Sequence, residues 1–247
     1  MIKKNILCTI CARKGSKGLK NKNLLKLLGK PLIHHTLDQA KEIKLLTKIV
    51  VSSNSNKILN ISKKKSDYQI KRPELLSNDY SSKVDAIRHA LLMSEKKFKI
   101  AFDIVVDLDV TSPLRSIRDI HNALDVFFKK NPGNLVSGHE ARRNPYFNQI
   151  MYKKSYLDVV CKSKKKIVRR QDAPKIYDLN ASIYIWNRKN LLSSKNLINK
   201  KTIFFQMPYS RSIDIDDKLD LIMVKHVLKN NLNKWSIKKY QKKLSSQ

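Results

Sequence analysis

Between Ile6 and Asn23 the chain reads ILCTICARKGSKGLKNKN: an apolar run of strand formers, then a loop with two glycines, a serine, Arg13 and several lysines. A buried strand opening into a cationic, glycine-containing loop is how α/β proteins hold phosphates, with backbone N–H groups facing the anion and Arg or Lys neutralising it. Arg13, Ser16, Lys17 and Lys22 are the candidate cradle, and Asn23 carries both a donor and an acceptor for a base or ribose edge. The loop is not a Walker A motif, because Leu19 follows Gly18, and it lacks the third glycine of the dinucleotide fingerprint. A second pattern, Ser212-Ile213-Asp214-Ile215-Asp216, lies far along the chain. Residues two apart on an extended segment face the same way, so Asp214 and Asp216 can present two carboxylates to one point, a donor set suited to Mg²⁺ or Mn²⁺. A structural use competes, since Asp216 and Asp217 also precede a predicted helix whose dipole they would stabilise.

The elements that must position these groups alternate. Strands are expected near Asn5–Cys11, Lys48–Ser52, Gln69–Lys71 and Phe102–Leu108, and helices near Ile33–Ile43, Asn56–Lys65, Lys83–Glu95 and Ile117–Phe128. Pro113 ends the central strand and Ser116 is the expected cap of the next helix. This rhythm argues for an α/β protein with a mostly parallel sheet and helices on both faces, in which ligands sit at the carboxyl ends of the strands. The loop after the first strand and the Asp109–Arg115 loop both fall there. From about 134 to 186 short strand-like pieces dominate, with breaks at Asn144-Pro145 and Ala173-Pro174, and the stretch reads as an inserted β-rich arm. A strand near Ile203–Gln206 and amphipathic helices from Lys218 onward complete one domain over 1–247.

The net charge of +32 raises nucleic acid as a partner. The excess is mostly lysine spread along the chain, and the aromatics are few and scattered rather than interleaved with a basic stripe. Nucleic acid is therefore not the expected partner. No segment approaches membrane-spanning length, and the apolar run at the start is cut by Arg13-Lys14 without a cleavage-site pattern. Three cysteines make no disulfide framework and suit a reducing cytoplasm. Cys8 and Cys11, three apart on a strand, face opposite ways and make a poor zinc pair.

Four more segments extend the pattern: Lys71-Arg72-Pro73-Glu74-Leu75-Leu76 with Asp79, Ser81 and Ser82; Thr111-Ser112-Pro113-Leu114-Arg115; Arg169-Arg170-Gln171-Asp172-Ala173-Pro174 continuing to Asn180-Ala181-Ser182-Ile183-Tyr184; and the Asp214–Asp216 segment. With the Arg13–Asn23 loop, they resemble in order and spacing the motifs of the CMP-sialic acid synthetase (acylneuraminate cytidylyltransferase) family, from about Ile6 to Leu221. The resemblance implies a three-layer, Rossmann-like nucleotidyltransferase fold with a protruding dimerisation arm that also meets the sugar. It implies transfer of CMP from CTP to a sialic-acid-like nonulosonic acid, for surface glycans, by a bacterial cytoplasmic homodimer that uses Mg²⁺ or Mn²⁺. Nucleotide binding then falls to Ala12, Arg13, Ser16, Lys17, Lys22, Asn23, Arg72, Ser81 and Ser82, and sugar binding to Asp109, Thr111, Arg170, Gln171, Asn180 and Tyr184. By the same resemblance Asp214 and Asp216 are expected to hold the metal and to act in catalysis with Arg13 and Lys22.

The departures lie on the sugar side. Asp109 stands where the family has a sugar-facing glutamine, Ala181-Ser182 where Asn-Gly-Ala is usual, and Asp178 where an arginine is common. Asp107-Leu108-Asp109, Arg142-Arg143-Asn144-Pro145-Tyr146-Phe147-Asn148 and Asn180-Ala181-Ser182-Ile183-Tyr184-Ile185 resemble the branch that activates legionaminic acid, a bacterial sialic acid analogue. An octulosonic acid is the alternative sugar.

Overall fold

The computed structural model describes residues 4–15, 18–163 and 166–232. Its elements run β1 (Ile6–Cys11), β2 (Lys26–Leu27), β3 (Lys30–Pro31), α1 (Leu32–Lys41), β4 (Lys48–Ser53), α2 (Asn56–Ser62), β5 (Tyr68–Lys71), α3 (Lys83–Phe98), β6 (Ile104–Leu108), α4 (Ile117–Lys130) and β7 (Asn134–Glu140). They continue with β8 (Ile150–Lys153), β9 (Tyr156–Val159), β10 (Tyr177–Asn187), α5 (Arg188–Ser193), β11 (Thr202–Gln206) and α6 (Lys218–Lys229). The central sheet has the order β11-β7-β10-β6-β1-β4-β5. It is parallel except at β10, which runs antiparallel to both β6 and β7.

Alternation along β1 sets the layers. Ile6, Cys8 and Ile10 enter a core with α1, α2, α4 and α6, while Leu7 enters a second core with α3 and α5. Cys8 and Cys11 therefore pack on opposite faces, as a strand requires. Helix starts are fixed by side chains that satisfy otherwise orphaned N–H groups. Ser82 accepts from the Asp85 N–H, and Ser116 forms a capping box with Asp119 as expected. Asp217 forms another with Asp220 at α6. Among the described residues no helix is long and apolar enough to cross a membrane.

The stretch expected as an arm over 134–186 is differently bounded. Its two ends are core strands: β7 pairs with β11 and β10, and β10 lies between β7 and β6. Only the chain between them, about 141–176, leaves the sheet. The reason is physical: buried Leu135, Val136, Ile183, Ile185 and Trp186 need the sheet's two cores, whereas Ile150, Tyr152 and Leu157 on the β8–β9 hairpin stay exposed. At its base the arm is tied by the Ala141 N–H to the Ile176 carbonyl at 2.9 Å and by Asn144 Nδ2 to the Pro174 carbonyl at 2.8 Å.

The loop after β6 is held by a guanidinium that is 1% exposed. Arg115 donates to the Ser182 carbonyl at 2.7 Å, the Asp109 carbonyl at 2.7 Å, Thr36 Oγ1 at 2.9 Å and Gln39 Oε1 at 3.0 Å. It thus joins the loop to β10 and α1. Burial pulls its pKa down to about 10, against the attraction of Asp109 and neighbouring groups. We expect Arg115→Met to lose about 3–5 kcal/mol of unfolding free energy, because it strands several buried acceptors at once. The loss should appear as a lower urea midpoint at unchanged slope. Arg115→Lys should recover less than half, since one ammonium cannot span the fork's partners. A wild-type midpoint in Arg115→Met would show that the network is not what holds the loop.

Candidate active site

The carboxyl ends of β1, β5 and β6 open on one cleft of about 570 Å³. Ala12, 1% exposed, donates its N–H to the Ser52 carbonyl at 3.0 Å, which carries the β1 direction one residue past the sheet. The loop then doubles back, and buried Asn23 fixes the turn by donating Nδ2 to the Arg13 carbonyl at 3.0 Å. Arg13, Lys22 and Asn23 all line the cleft, while Ser16 and Lys17 lie outside the described residues.

This loop touches the acidic segment from the other end of the chain. A Cβ on Gly18 would sit 2.3 Å from the Asp216 carbonyl oxygen, so only glycine lets the two backbones meet. Beside that contact Lys22 Nζ pairs with Asp216 at 2.8 Å. The Ile215 N–H donates to the Thr111 carbonyl at 2.9 Å, and Ile215 is fully buried, so Asp214 and Asp216 on either side of it both line the cleft. The competing structural use falls to Asp217, the N-cap of α6, which leaves the Asp216 carboxylate on Lys22. Burial, then the nearby Asp109 charge, pushes the Asp214 carboxyl up to about 6, and its Oδ1 is buried with no hydrogen-bond partner.

The loop after β5 closes another wall. Arg72, 5% exposed, donates Nε to Ser77 Oγ at 3.1 Å, while its buried Nη2 has no hydrogen-bond partner and the side chain lines the cleft. Asp79 pairs with Arg13 at 2.8 Å across the mouth. Ser81 and Ser82 line the cleft, but their hydroxyls also serve the loop: Ser81 donates to Asn78 Oδ1 at 2.8 Å, and Ser82 caps α3.

On the β6 side Asp109 accepts from the Thr111 N–H at 3.0 Å and Thr111 Oγ1 at 2.9 Å, and both residues line the cleft. Burial would raise its carboxyl, but Lys83 and the Thr111 hydrogen bonds outweigh this and hold it at about 2. Lys83 itself was not singled out by the sequence. It pairs with Asp109 and with fully buried Asp107, the latter at 3.2 Å, and its ammonium lies 5.0 Å from the Tyr184 ring centre. One signal was available: Asp107 and Asp109 are two apart at the end of a strand, the same spacing that marks Asp214 and Asp216.

Four expected sugar residues stand elsewhere. Asn180 is buried behind the loop, accepting from Ser137 Oγ at 2.7 Å and donating to Ser212 Oγ at 2.9 Å, so its amide is spent on packing polar groups. Tyr184, 3% exposed, lies behind Lys83, and burial raises its phenol to about 12. Arg170 and Gln171 are exposed on a turn of the arm and do not line the cleft of their own chain. Arg170 instead donates to the Ala141 carbonyl at 3.3 Å.

The cleft thus combines Arg13, Lys22, Arg72 and Lys83 with Asp79, Asp109, Asp214 and Asp216. Such a mixture suits a highly charged anion whose charge is shared between cations and a bound metal.

Comparison with known proteins places the chain in a family. The chain is 43% identical over 226 residues to a post-translational flagellin modification protein B of Campylobacter coli, covering 91% of this chain and 95% of that one. It is 42% identical over 225 residues to a CMP-N,N'-diacetyllegionaminic acid synthase of Campylobacter jejuni, covering 90% and 94% respectively. Its fold matches the structure of a CMP:2-keto-3-deoxy-manno-octonic acid synthetase complexed with CTP, with a TM-score of 0.64 and 16% identity over 92% of this chain and 99% of that one. The cytidylyltransferase profile matches residues 7–237, and with relatives above 40% identity along nearly their whole lengths, the chain belongs to the cytidylyltransferase family of nucleotidyltransferases.

Proposed function

We propose that this cytidylyltransferase activates a nonulosonic acid of the N,N'-diacetyllegionaminic type, taking CMP from CTP and releasing pyrophosphate. The observation that carries the reading is the junction of the Arg13–Asn23 loop with the Asp214–Asp216 segment, where Gly18 meets the Asp216 backbone and Lys22 meets its carboxylate. A triphosphate held there has cations on one side and two carboxylates on the other. The name of the Campylobacter jejuni relative supports the sugar class. In the reaction the anomeric hydroxyl attacks the α-phosphorus and pyrophosphate leaves in line, so the protein's task is positioning and charge neutralisation. Arg13 and Lys22 face the phosphates, and Arg72, with a buried unpartnered N–H group, faces the nucleoside. Asp109 and Thr111 face the sugar.

Asp214 and Asp216 fit a divalent cation. Among the described residues there is no ready-made group of three or more His, Cys, Asp or Glu ligands. Mg²⁺ is ordinarily held by one or two carboxylates with water and substrate phosphates completing its shell, and Asp214 Oδ1 is a buried acceptor without a donor. When bound, Mg²⁺ or Mn²⁺ would offset charge on the phosphates. We read the chain as a homodimer, because the apolar residues exposed on the β8–β9 hairpin gain nothing in water and an isolated hairpin needs a partner surface. Arg170 and Gln171 stand on that same arm.

CTP-dependent pyrophosphate release with a panel of sugar acids tests the reading. N,N'-diacetyllegionaminic acid should exceed N-acetylneuraminic acid in kcat/KM by roughly 10-fold. Better use of N-acetylneuraminic acid would remove the legionaminic assignment, and better use of a 3-deoxy-octulosonic acid would favour that alternative. Arg13→Ala and Lys22→Ala should each lose on the order of 10²–10³ in rate while keeping the wild-type circular dichroism spectrum; full turnover in either would remove the phosphate assignment. Activity should vanish in EDTA, return with Mg²⁺, and fall strongly in Asp214→Asn. Undiminished activity in EDTA would leave these carboxylates without a metal.

A further inference from the structure

Among the described residues, Lys83 is the one cleft cation that neither the proposed phosphate loop nor the nucleoside wall explains. It is the first residue of α3, directly after the Ser82 cap, so its backbone is fixed by the helix start. Its side chain is 27% exposed and lines the cleft beside Asp109 and Thr111. On its inner side it meets Asp107, which is fully buried and also accepts from Thr9 Oγ1 at 2.7 Å. On its outer side it meets Asp109, and the Tyr184 ring lies alongside. An ammonium has three N–H donors; Asp109 takes one, and the contact with Asp107, whose buried Oδ2 makes no hydrogen bond, is an ion pair only, so donor capacity remains for a ligand in the cleft. Asp109 keeps acceptor capacity of its own, being 19% exposed on the same wall. A donor and an acceptor therefore stand side by side, each immobilised by the other.

The charges allow this pairing only as a unit. Asp107 and Asp109 are two residues apart on one strand end, and Lys83 with buried Arg115 brings their formal sum to zero. A neutral lysine would leave two adjacent carboxylates against one cation. A glutamine at 109 alone would leave Lys83 facing the cleft with only its inner partner. Changing residue 109 by itself therefore alters the charge of the wall as well as its hydrogen bonding.

Resting on the function proposed above, we propose that Lys83 is a specificity-determining residue for the sugar acid. Its ammonium and the Asp109 carboxylate form one donor–acceptor unit that engages an oxygen of the sugar and a neighbouring O–H or N–H. A sugar that presents both groups in the right order satisfies the pair. One that lacks either leaves a desolvated N–H of Lys83 or lone pair of Asp109 without a partner, which is where discrimination between closely similar sugars is largest.

The test is steady-state pyrophosphate release by the full chain, varying the sugar acid at saturating CTP and then CTP at saturating sugar. The enzymes are wild type, Lys83→Met, Lys83→Arg, Asp109→Asn and the Lys83→Met/Asp109→Asn double variant. Lys83→Met and Asp109→Asn should each raise the KM for the preferred sugar acid by roughly 10- to 100-fold, with the KM for CTP within about threefold of wild type. The double variant should be no more than about threefold worse than the poorer single one, because two members of one unit do not lose independently. Preference between N,N'-diacetyllegionaminic and N-acetylneuraminic acid should shrink toward parity in all three, and Lys83→Arg should retain most of it. If Lys83→Met does not fold, Lys83→Gln replaces it in the same comparison. A CTP KM that rises with the sugar KM, or losses that multiply, would overturn the inference while leaving the proposed function intact. A wild-type enzyme that releases no pyrophosphate with any sugar acid of the panel would overturn both.

Discussion

Buried charge at the end of β6 organises the site. Arg115, Asp107, Asp109 and Lys83 lie within one small volume, three of them on the strand end or the loop that leaves it. Burying an ion without partners costs several kcal/mol, so each group must be met. Arg115 meets the carbonyls of Asp109 and Ser182 and the side chains of Thr36 and Gln39, and in doing so fixes α1 and β10 to the loop. Asp107 meets Thr9 on β1 and Lys83 on α3. The network that neutralises these charges is also what sets the spacing of four elements around the cleft, and Asp109 and Thr111 cannot shift without breaking it.

The second constraint is steric. The Arg13–Asn23 loop and the Asp214–Asp216 segment come together where Gly18 has no room for a side chain, and Lys22 closes the contact. Ile215 drives its own segment inward by burial, so the flanking carboxylates have no choice of face. Hydrophobic burial thus sets the direction of two charged groups, and the missing Cβ of Gly18 sets their distance from the loop.

Much of this is legible before folding, and the exceptions have physical causes. Alternation predicts which side of β1 each residue takes, and Ser116 announces α4, because these are local effects. The role of β7 and β10 is not local. Their short, break-flanked neighbourhood reads as an arm, yet Trp186 and Ile185 need the two cores of the main sheet. Asn180 carries a motif's polarity but spends it internally on Ser137 and Ser212. Lys83 is hidden by abundance: in a chain with 52 lysines and arginines, one lysine at a helix start carries no signal until its carboxylate partners are in view.

The two carboxylates that flank the Thr111 turn show how environment divides one chemistry into two uses. Asp109 and Asp214 are both buried at the cleft wall, yet one is held at about 2 and the other is pushed up to about 6. Asp109 has Lys83 and two Thr111 donors, so it stays a fixed, ionised acceptor. Asp214 has burial and the Asp109 charge against it, only partly offset by Thr111 and Lys22, and its Oδ1 has no donor. Lys83 offsets the charge of Asp109, whereas Lys22, engaged by Asp216, offsets that of Asp214 only in part. The fold therefore keeps an incompletely offset carboxylate at the point where the Arg13–Asn23 loop and the Asp214–Asp216 segment meet. Because the Asp109 charge is one cause of that shift, the two walls of the cleft are coupled through charge.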